Sequence, residues 1–158
     1  MDIAAEIREQ LGDDRIPAIY REKVRTQRTR SFAMDLPERE NAAEILHTLL
    51  GIELKVGKKR FTCPDLATAR YLRVFARIGC RNIAIPYDIT KISVLADELE
   101  VSWQKSLLVF EETNRVRSPQ AKGRVRSALI RDMRAEIADI GAGDAMPEFK
   151  NSTRQRNS

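Results

Sequence analysis

The sequence predicts an α+β fold, a small sheet of about three strands packed with helices, within one domain over residues 1–140. Three observations lead there. Apolar residues recur at helical spacing in separated blocks, the longest over 89–110. Period-two alternation is confined to one short stretch, where Ile52, Leu54 and Val56 alternate with Glu53 and Lys55. Finally, a chain of 158 residues can bury roughly 70% of the surface its unfolded form exposes, so it needs no disulfide or metal to hold it together.

Taken in order, Ile3, Ile7 and Leu11 stand at i, i+4 and i+8 before Gly12, which predicts a short amphipathic helix over 2–11. Residues 21–30 carry five basic residues and one acid, with only Val24 apolar, and read as a basic arm or solvated edge. Over 37–50, Ala42, Ile45, Leu46, Leu49 and Leu50 share one helical face between Pro37 and Gly51, which predicts a helix. A hairpin over 52–63 follows, its turn the cationic Gly57-Lys58-Lys59. Pro64-Asp65 then opens a helix to about Ile78, closed by Gly79, with Asp65 placed to accept from the amides of the first turn.

The apolar run 82–86 is expected to add a buried strand to the hairpin through a right-handed crossover. Residues 89–110 repeat Ile92, Leu95, Leu99, Trp103, Leu107 and Phe110 without Gly or Pro, a helix of about 33 Å. Pro119 and Gly123 make 114–126 a basic loop, leaving a C-terminal helix over 124–140 with Leu129, Met133, Ile137 and Ile140 inward. Residues 141–158 are expected to be a flexible, polar, basic tail.

Lys and Arg number 28 against 23 Asp and Glu, for a net charge of +5. The excess is concentrated in 21–30, 55–60 and 114–126, in Arg154 and Arg156, and in a row formed by Arg70, Arg73 and Arg77. On a helix those three arginines fall within about 60° of one another and are expected to face outward. Most of the basic residues are arginine, whose fork of donors matches phosphate oxygens. The leading expectation is therefore a non-enzymatic nucleic-acid-binding or nucleic-acid-associated accessory protein. Lys58, Lys59, Arg70, Arg73, Arg77, Arg124 and Arg126 would touch phosphate, and RNA and DNA fit equally. The opposing reading has these cations balance acidic stretches such as 97–100 on a solvated surface.

Two other functions compete. Glu53-x-Lys55 on a strand, with Asp35 eighteen residues earlier, resembles the signature of PD-(D/E)XK nucleases. That resemblance implies two carboxylates on a divalent metal that activates water, with the lysine polarising the nucleophile. It covers three residues, and it departs from the family in placing a helix between Asp35 and Glu53 and in leading from the E-x-K strand into another strand. An adaptor is the other alternative, binding a partner protein through helix 89–110. Val94, Val101, Leu108 and Val109 lie beside or beyond the main stripe of that helix, more apolar surface than a small sheet would cover, which also suggests a homodimer.

Other chemistry finds little support. His47 is the only histidine and has no partner at i+3 or i+4 for a metal. Cys63 and Cys80 flank a helix and would stand roughly 20 Å apart, beyond disulfide reach. They read as reduced and buried, and Asp65 works against a nucleophilic Cys63. Neither G-x-G-x-x-G, G-x-x-x-x-G-K-[ST] nor G-x-S-x-G occurs, and no cofactor is expected. With no apolar run of about 18 residues and no leader pattern, the expectation is a cytoplasmic protein without a membrane partner.

Overall fold

The computed structural model describes residues 3–143. The chain runs through α1 (Ile3–Leu11), a 3-10 turn (Gly12–Asp14), and α2 (Ile16–Ile19), which continues into a π turn (Tyr20–Val24). There follow β1 (Thr29–Ala33), β2 (Ala43–Thr48), β3 (Gly51–Val56), β4 (Lys59–Cys63), α3 (Leu66–Ile78), β5 (Asn82–Pro86), α4 (Ile89–Thr113) and α5 (Pro119–Ile140). The class is α+β, as the sequence predicts. Among the described residues no helix is long and apolar enough to cross a membrane.

The hairpin 52–63 and the strand 82–86 both form, but in different sheets. Strands β2, β3 and β4 make an antiparallel meander, while β5 pairs antiparallel with β1, Thr29 opposite Pro86 and Ala33 opposite Asn82. The expected crossover is therefore corrected. Helix α3 covers the apolar face of the meander, carrying Ile45, Leu54 and Phe61 in one cross-strand row. Strand β5, with Ile83, Ala84 and Ile85 all buried, finds its partner in β1, which begins with the last two residues of the expected basic arm. That stretch is anchored at two points, Val24 buried in the π turn and Thr29 buried in β1, while Arg21, Lys23 and Arg28 stay exposed.

The expected helix over 37–50 is likewise corrected to loop and strand. Its apolar spacing suits a helix, yet a strand at 51–56 with Leu54 and Val56 buried needs partners on both edges, and β2 supplies one. Tertiary pairing overrides local pattern. Gly51, at φ +125°, completes a tight turn in which Leu50 N–H donates to Thr48 Oγ1 and the Thr48 hydroxyl donates to Gly51 O. Leu49 and Leu50, inward in the helical reading, project fully exposed from that turn.

The basic loop expected over 114–126 shrinks to 114–118. Pro119 occupies the first turn of α5, where a missing N–H costs nothing, and Ser118 Oγ accepts from Ala121 N–H. Gly123 lies inside the helix, a penalty of about 1 kcal/mol that α5 tolerates. The expected flexible tail over 141–158, with Arg154 and Arg156, lies outside the described residues from position 144 onward.

The long α4 is buried along Ile92, Leu95, Leu99, Trp103 and Phe110, packed by α1, α2 and α3. The core closes around Tyr20, Tyr71 and Phe75, whose rings stand 5.5 Å and 5.1 Å from centroid to centroid about the central Phe75. Among the described residues strand β5 has one partner strand, so its other edge presents bare polar groups to the core. Tyr71 Oη donates to Ala84 O at 2.6 Å, and Ala84 N–H donates to Tyr20 Oη at 2.9 Å. Tyr20 in turn donates to Gly141 O at 2.7 Å, tying the end of α5 to the same point. Burial pushes both phenols up, so both hydroxyls keep the proton they donate.

Tyr71→Phe strands a buried carbonyl and should cost about 1–3 kcal/mol, while Tyr20→Phe strands an N–H and a carbonyl and should cost more. Urea denaturation monitored by Trp103 fluorescence checks both, and equal stabilities for all three proteins would contradict the assignment.

Candidate anion-binding clefts

Helix α3 places the arginine row, and its two ends are tightly defined. Asp65 caps the N-terminus, accepting from Thr68 N–H at 2.7 Å. At the C-terminus Gly79, at φ +90°, lets Cys80 N–H reach Phe75 O and its own N–H reach Ala76 O, a Schellman closure. A Cβ at Gly79 would overlap the Arg39 carbonyl and lie 2.6 Å from the Arg39 nitrogen. The segment 34–42 is thus pressed onto the end of α3. Asn41 N–H donates to Arg77 O and Asn41 Nδ2 to Ala76 O, so that segment also satisfies carbonyls the helix leaves open.

The arginine row does not face outward as expected. Arg70 Nη2 donates to Asp97 at 2.5 Å and to Glu100 at 2.6 Å, and Arg73 Nη2 donates to Glu100 at 3.1 Å. Both arginines are about three-quarters buried against α4. Burial works to raise the Glu100 carboxyl, but the two arginine hydrogen bonds and charges prevail and hold it below its ordinary value. The correction has a simple cause: α4 lies along α3, so the acids at 97–100 are the nearest counter-charges. Balance against that stretch is what the opposing sequence reading describes.

Arg77 is different. Its guanidinium has no ion pair among the described residues, and its pKa is lowered by burial and by Arg73, with Glu100 only partly offsetting them. Beside it, Arg73 Nε is buried without a hydrogen-bond partner. Arg77 lines a cleft of about 510 Å³ together with Arg126, Glu40, Asn41, Gln104 and Trp103. Arg126 lies side-on to Glu40, Nε at 2.7 Å and Nη2 at 2.5 Å from its two oxygens.

A second cleft, of about 410 Å³, is walled by the β3–β4 turn and the segment 35–41. It gathers Arg39, Lys58, Lys59 and Arg81 around Asp35. Lys59 Nζ stands 2.9 Å from Asp35 Oδ2, and Arg81 reaches Asp35 at 3.9 Å and Glu38 at 3.4 Å. The Lys59 hydrogen bond and charge, with Arg81 behind, hold the Asp35 carboxyl below its usual range. Asn41 lines both clefts. Of the expected phosphate-contacting residues, the structure therefore brings Lys58 and Lys59 to one cleft and Arg77 and Arg126 to its neighbour. Arg124 is exposed on α5 and lines neither, and Arg70 and Arg73 are engaged by α4.

Sequence reasoning missed Arg39 and Arg81. Neither sits in a basic run, and only the docking of 34–42 onto Gly79 brings them beside Lys58. A third cleft, of about 440 Å³ between the α2 region and α4, has the opposite sign, with Asp13, Asp14, Glu22, Asp97 and Glu98 outnumbering Lys23 and Lys105. The charge of the molecule is segregated.

Each of the three residues in the nuclease resemblance has its own ion-pair partner. Asp35 is held by Lys59, Glu53 by Arg60 at 3.1 Å, and Lys55 faces Glu44 at 3.9 Å on the outer face of the meander. No group of three or more His, Cys, Asp or Glu side chains among the described residues could hold a metal ion. His47 lies exposed on β2 rather than on a helix. Both cysteines are buried and free; burial and Asp65 push the Cys63 thiol up to about 11, and burial pushes Cys80 up to about 12, which argues against a thiolate nucleophile. The inner stripe of α4, including Leu99 and Trp103, is covered within the chain, which removes that part of the ground for a homodimer. No family model, curated protein or solved structure matches this chain.

Two outcomes follow. Gly79→Ala should destabilise the fold by about 2–4 kcal/mol, combining positive-φ strain with backbone overlap, as thermal or urea melts would register. Glu100 has a folded pKa below its ordinary 4.5, so its contribution is present above that value and is lost as pH falls through the folded pKa. Glu100→Gln should cost about 1 kcal/mol at neutral pH after allowance for solvent screening, and the stabilities of the two proteins should converge on acidification.

Proposed function

We propose that this protein binds the phosphate groups of a nucleic acid without cutting it, through the two neighbouring cationic clefts that meet at Asn41. One observation carries the reading. Arg39, Lys58 and Arg77 line these clefts with no ion pair among the described residues, while Arg70 and Arg73 on α3 and Lys59 and Arg60 on β4 have each found an acid. An arginine driven partly into the protein beside another arginine, without a counter-ion, is costly unless an anion is to meet it. Two clefts in succession suit a ligand with repeated phosphates rather than a single small anion. Trp103, Tyr20 and Tyr71 are buried and the exposed Tyr87 ring is covered by Arg28, which supports phosphate contact over base stacking.

An adaptor role keeps one favouring observation: Val94, Val101 and Leu108 stand seven residues apart on α4, each more than half exposed at 57%, 61% and 69%. Polar residues separate them on that face, which makes the stripe narrow.

Fluorescence anisotropy with a labelled DNA duplex and a labelled stem-loop RNA, across a salt titration, tests the nucleic-acid reading. Arg39→Gln, Lys58→Gln and Arg77→Gln should each weaken binding and reduce the slope of log K against log salt by roughly 0.9 on duplex DNA. Arg70→Gln should leave the slope nearly unchanged and instead lower stability. Wild-type protein that binds neither probe, or slopes untouched by the three substitutions, would overturn the reading.

A further inference from the structure

The segment between β1 and β2 carries three carboxylates within six residues, Asp35, Glu38 and Glu40, and each is paired with a cation of the two clefts. Asp35 holds Lys59 and Arg81, Glu38 holds Arg81, and Glu40 holds Arg126. We infer that these carboxylates stand where ligand phosphates sit, so that segment 34–42 is an internal phosphate mimic and Lys59–Arg81 and Arg126 are two self-occluded phosphate subsites. This rests on the nucleic-acid reading above and extends it to how the site is controlled.

Geometry supports the exchange. Glu40 meets Arg126 side-on through Nε and Nη2, a two-point fork that a phosphate can take over oxygen for oxygen. Asp35 bridges the first residue of β4, Lys59, and an arginine after α3, as a backbone phosphate bridges separated cations. The internal pairs are also weak enough to yield. The Asp35 side chain is 76% exposed and Glu38 60%, so both carboxylates are largely hydrated where they stand and lose little on release. Glu40, at 33%, is held more firmly. A polyanion gains at both clefts together, whereas a single small anion must displace one carboxylate for one contact.

The backbone of the segment need not move for this to occur. Asn41 binds the end of α3, Arg81 Nε donates to Leu36 O, and the Gly79–Arg39 approach leaves no slack. The exchange is one of side chains against a fixed frame. It sets a threshold: only ligands dense enough in phosphate to outcompete three built-in carboxylates bind, which selects nucleic acid over abundant small phosphates.

The test neutralises the three carboxylates together, in Asp35→Asn/Glu38→Gln/Glu40→Gln. A control carries the same change in net charge at exposed acids away from both clefts, Glu9→Gln/Asp13→Asn/Asp139→Asn. With the labelled duplex and stem-loop RNA at fixed salt, the first variant should bind about tenfold more tightly than wild type, and the control should gain no more than about threefold from general charge. Glu40→Gln alone should gain part of the effect, and adding Arg126→Gln should abolish that gain, which reads the subsite even if the triple variant folds poorly. Wild type that binds while the triple variant merely equals the control would overturn the mimicry and leave the nucleic-acid reading standing. A Glu40→Gln gain that survives Arg126→Gln would overturn the Arg126 subsite. Failure of both wild type and the folded triple variant to bind either probe would overturn the nucleic-acid reading itself.

Discussion

Strand β5 is buried and has a single partner strand among the described residues, and a bare strand edge inside a core must find donors and acceptors or unfold. The fold answers with two phenols. Tyr71 from α3 and Tyr20 from the π turn take the carbonyl and the amide of Ala84, and Tyr20 reaches on to Gly141 at the end of α5. Four distant stretches of chain are therefore linked through Ala84 and Tyr20. The π turn makes this possible, since its wider backbone closure, Arg25 N–H to Tyr20 O, sits where the Tyr20 ring must lie edge-on to Phe75.

That convergence governs the surface as well. With β5 committed to β1, α3 is pinned between the meander and α4, and its arginines pair with the acids of α4 or, at Arg77, form no ion pair among the described residues. The end of α3 then becomes a platform on which 34–42 docks, and that docking builds both clefts. Charges on the other side of α4 fall into an acidic cleft instead. A modest net charge of +5 thus conceals strong local separation.

Several elements were legible in residues alone. Helix α3 matches its expected bounds because Asp65 and Gly79 act through bonds within a turn of their own positions, and the 52–63 hairpin follows from alternation around Gly57. The apolar stripe of α4 that carries Leu99 and Trp103 was legible from spacing, but not that it is covered within the chain. The segment 37–50 was not, because Ile45, Leu46, Leu49 and Leu50 satisfy a helical period while β3 across the turn offers the decisive hydrogen bonds. Nor was the start of α5, where Pro119 marks a first turn rather than a break.

The sequence by itself determined the class, the caps and turns that bound most elements, the buried faces of α3, α4 and α5, and an arginine-rich composition suited to phosphate. All of these depend on residues within a turn or two of one another. Only the tertiary structure decided which cations remain available. Whether Arg70 or Arg77 has a counter-ion depends on which residues of α4 lie across from α3, and Arg39 and Arg81 join Lys58 solely because Gly79 admits the backbone of Arg39. Charge pairing acts across space between segments tens of residues apart, and no local pattern encodes that distance.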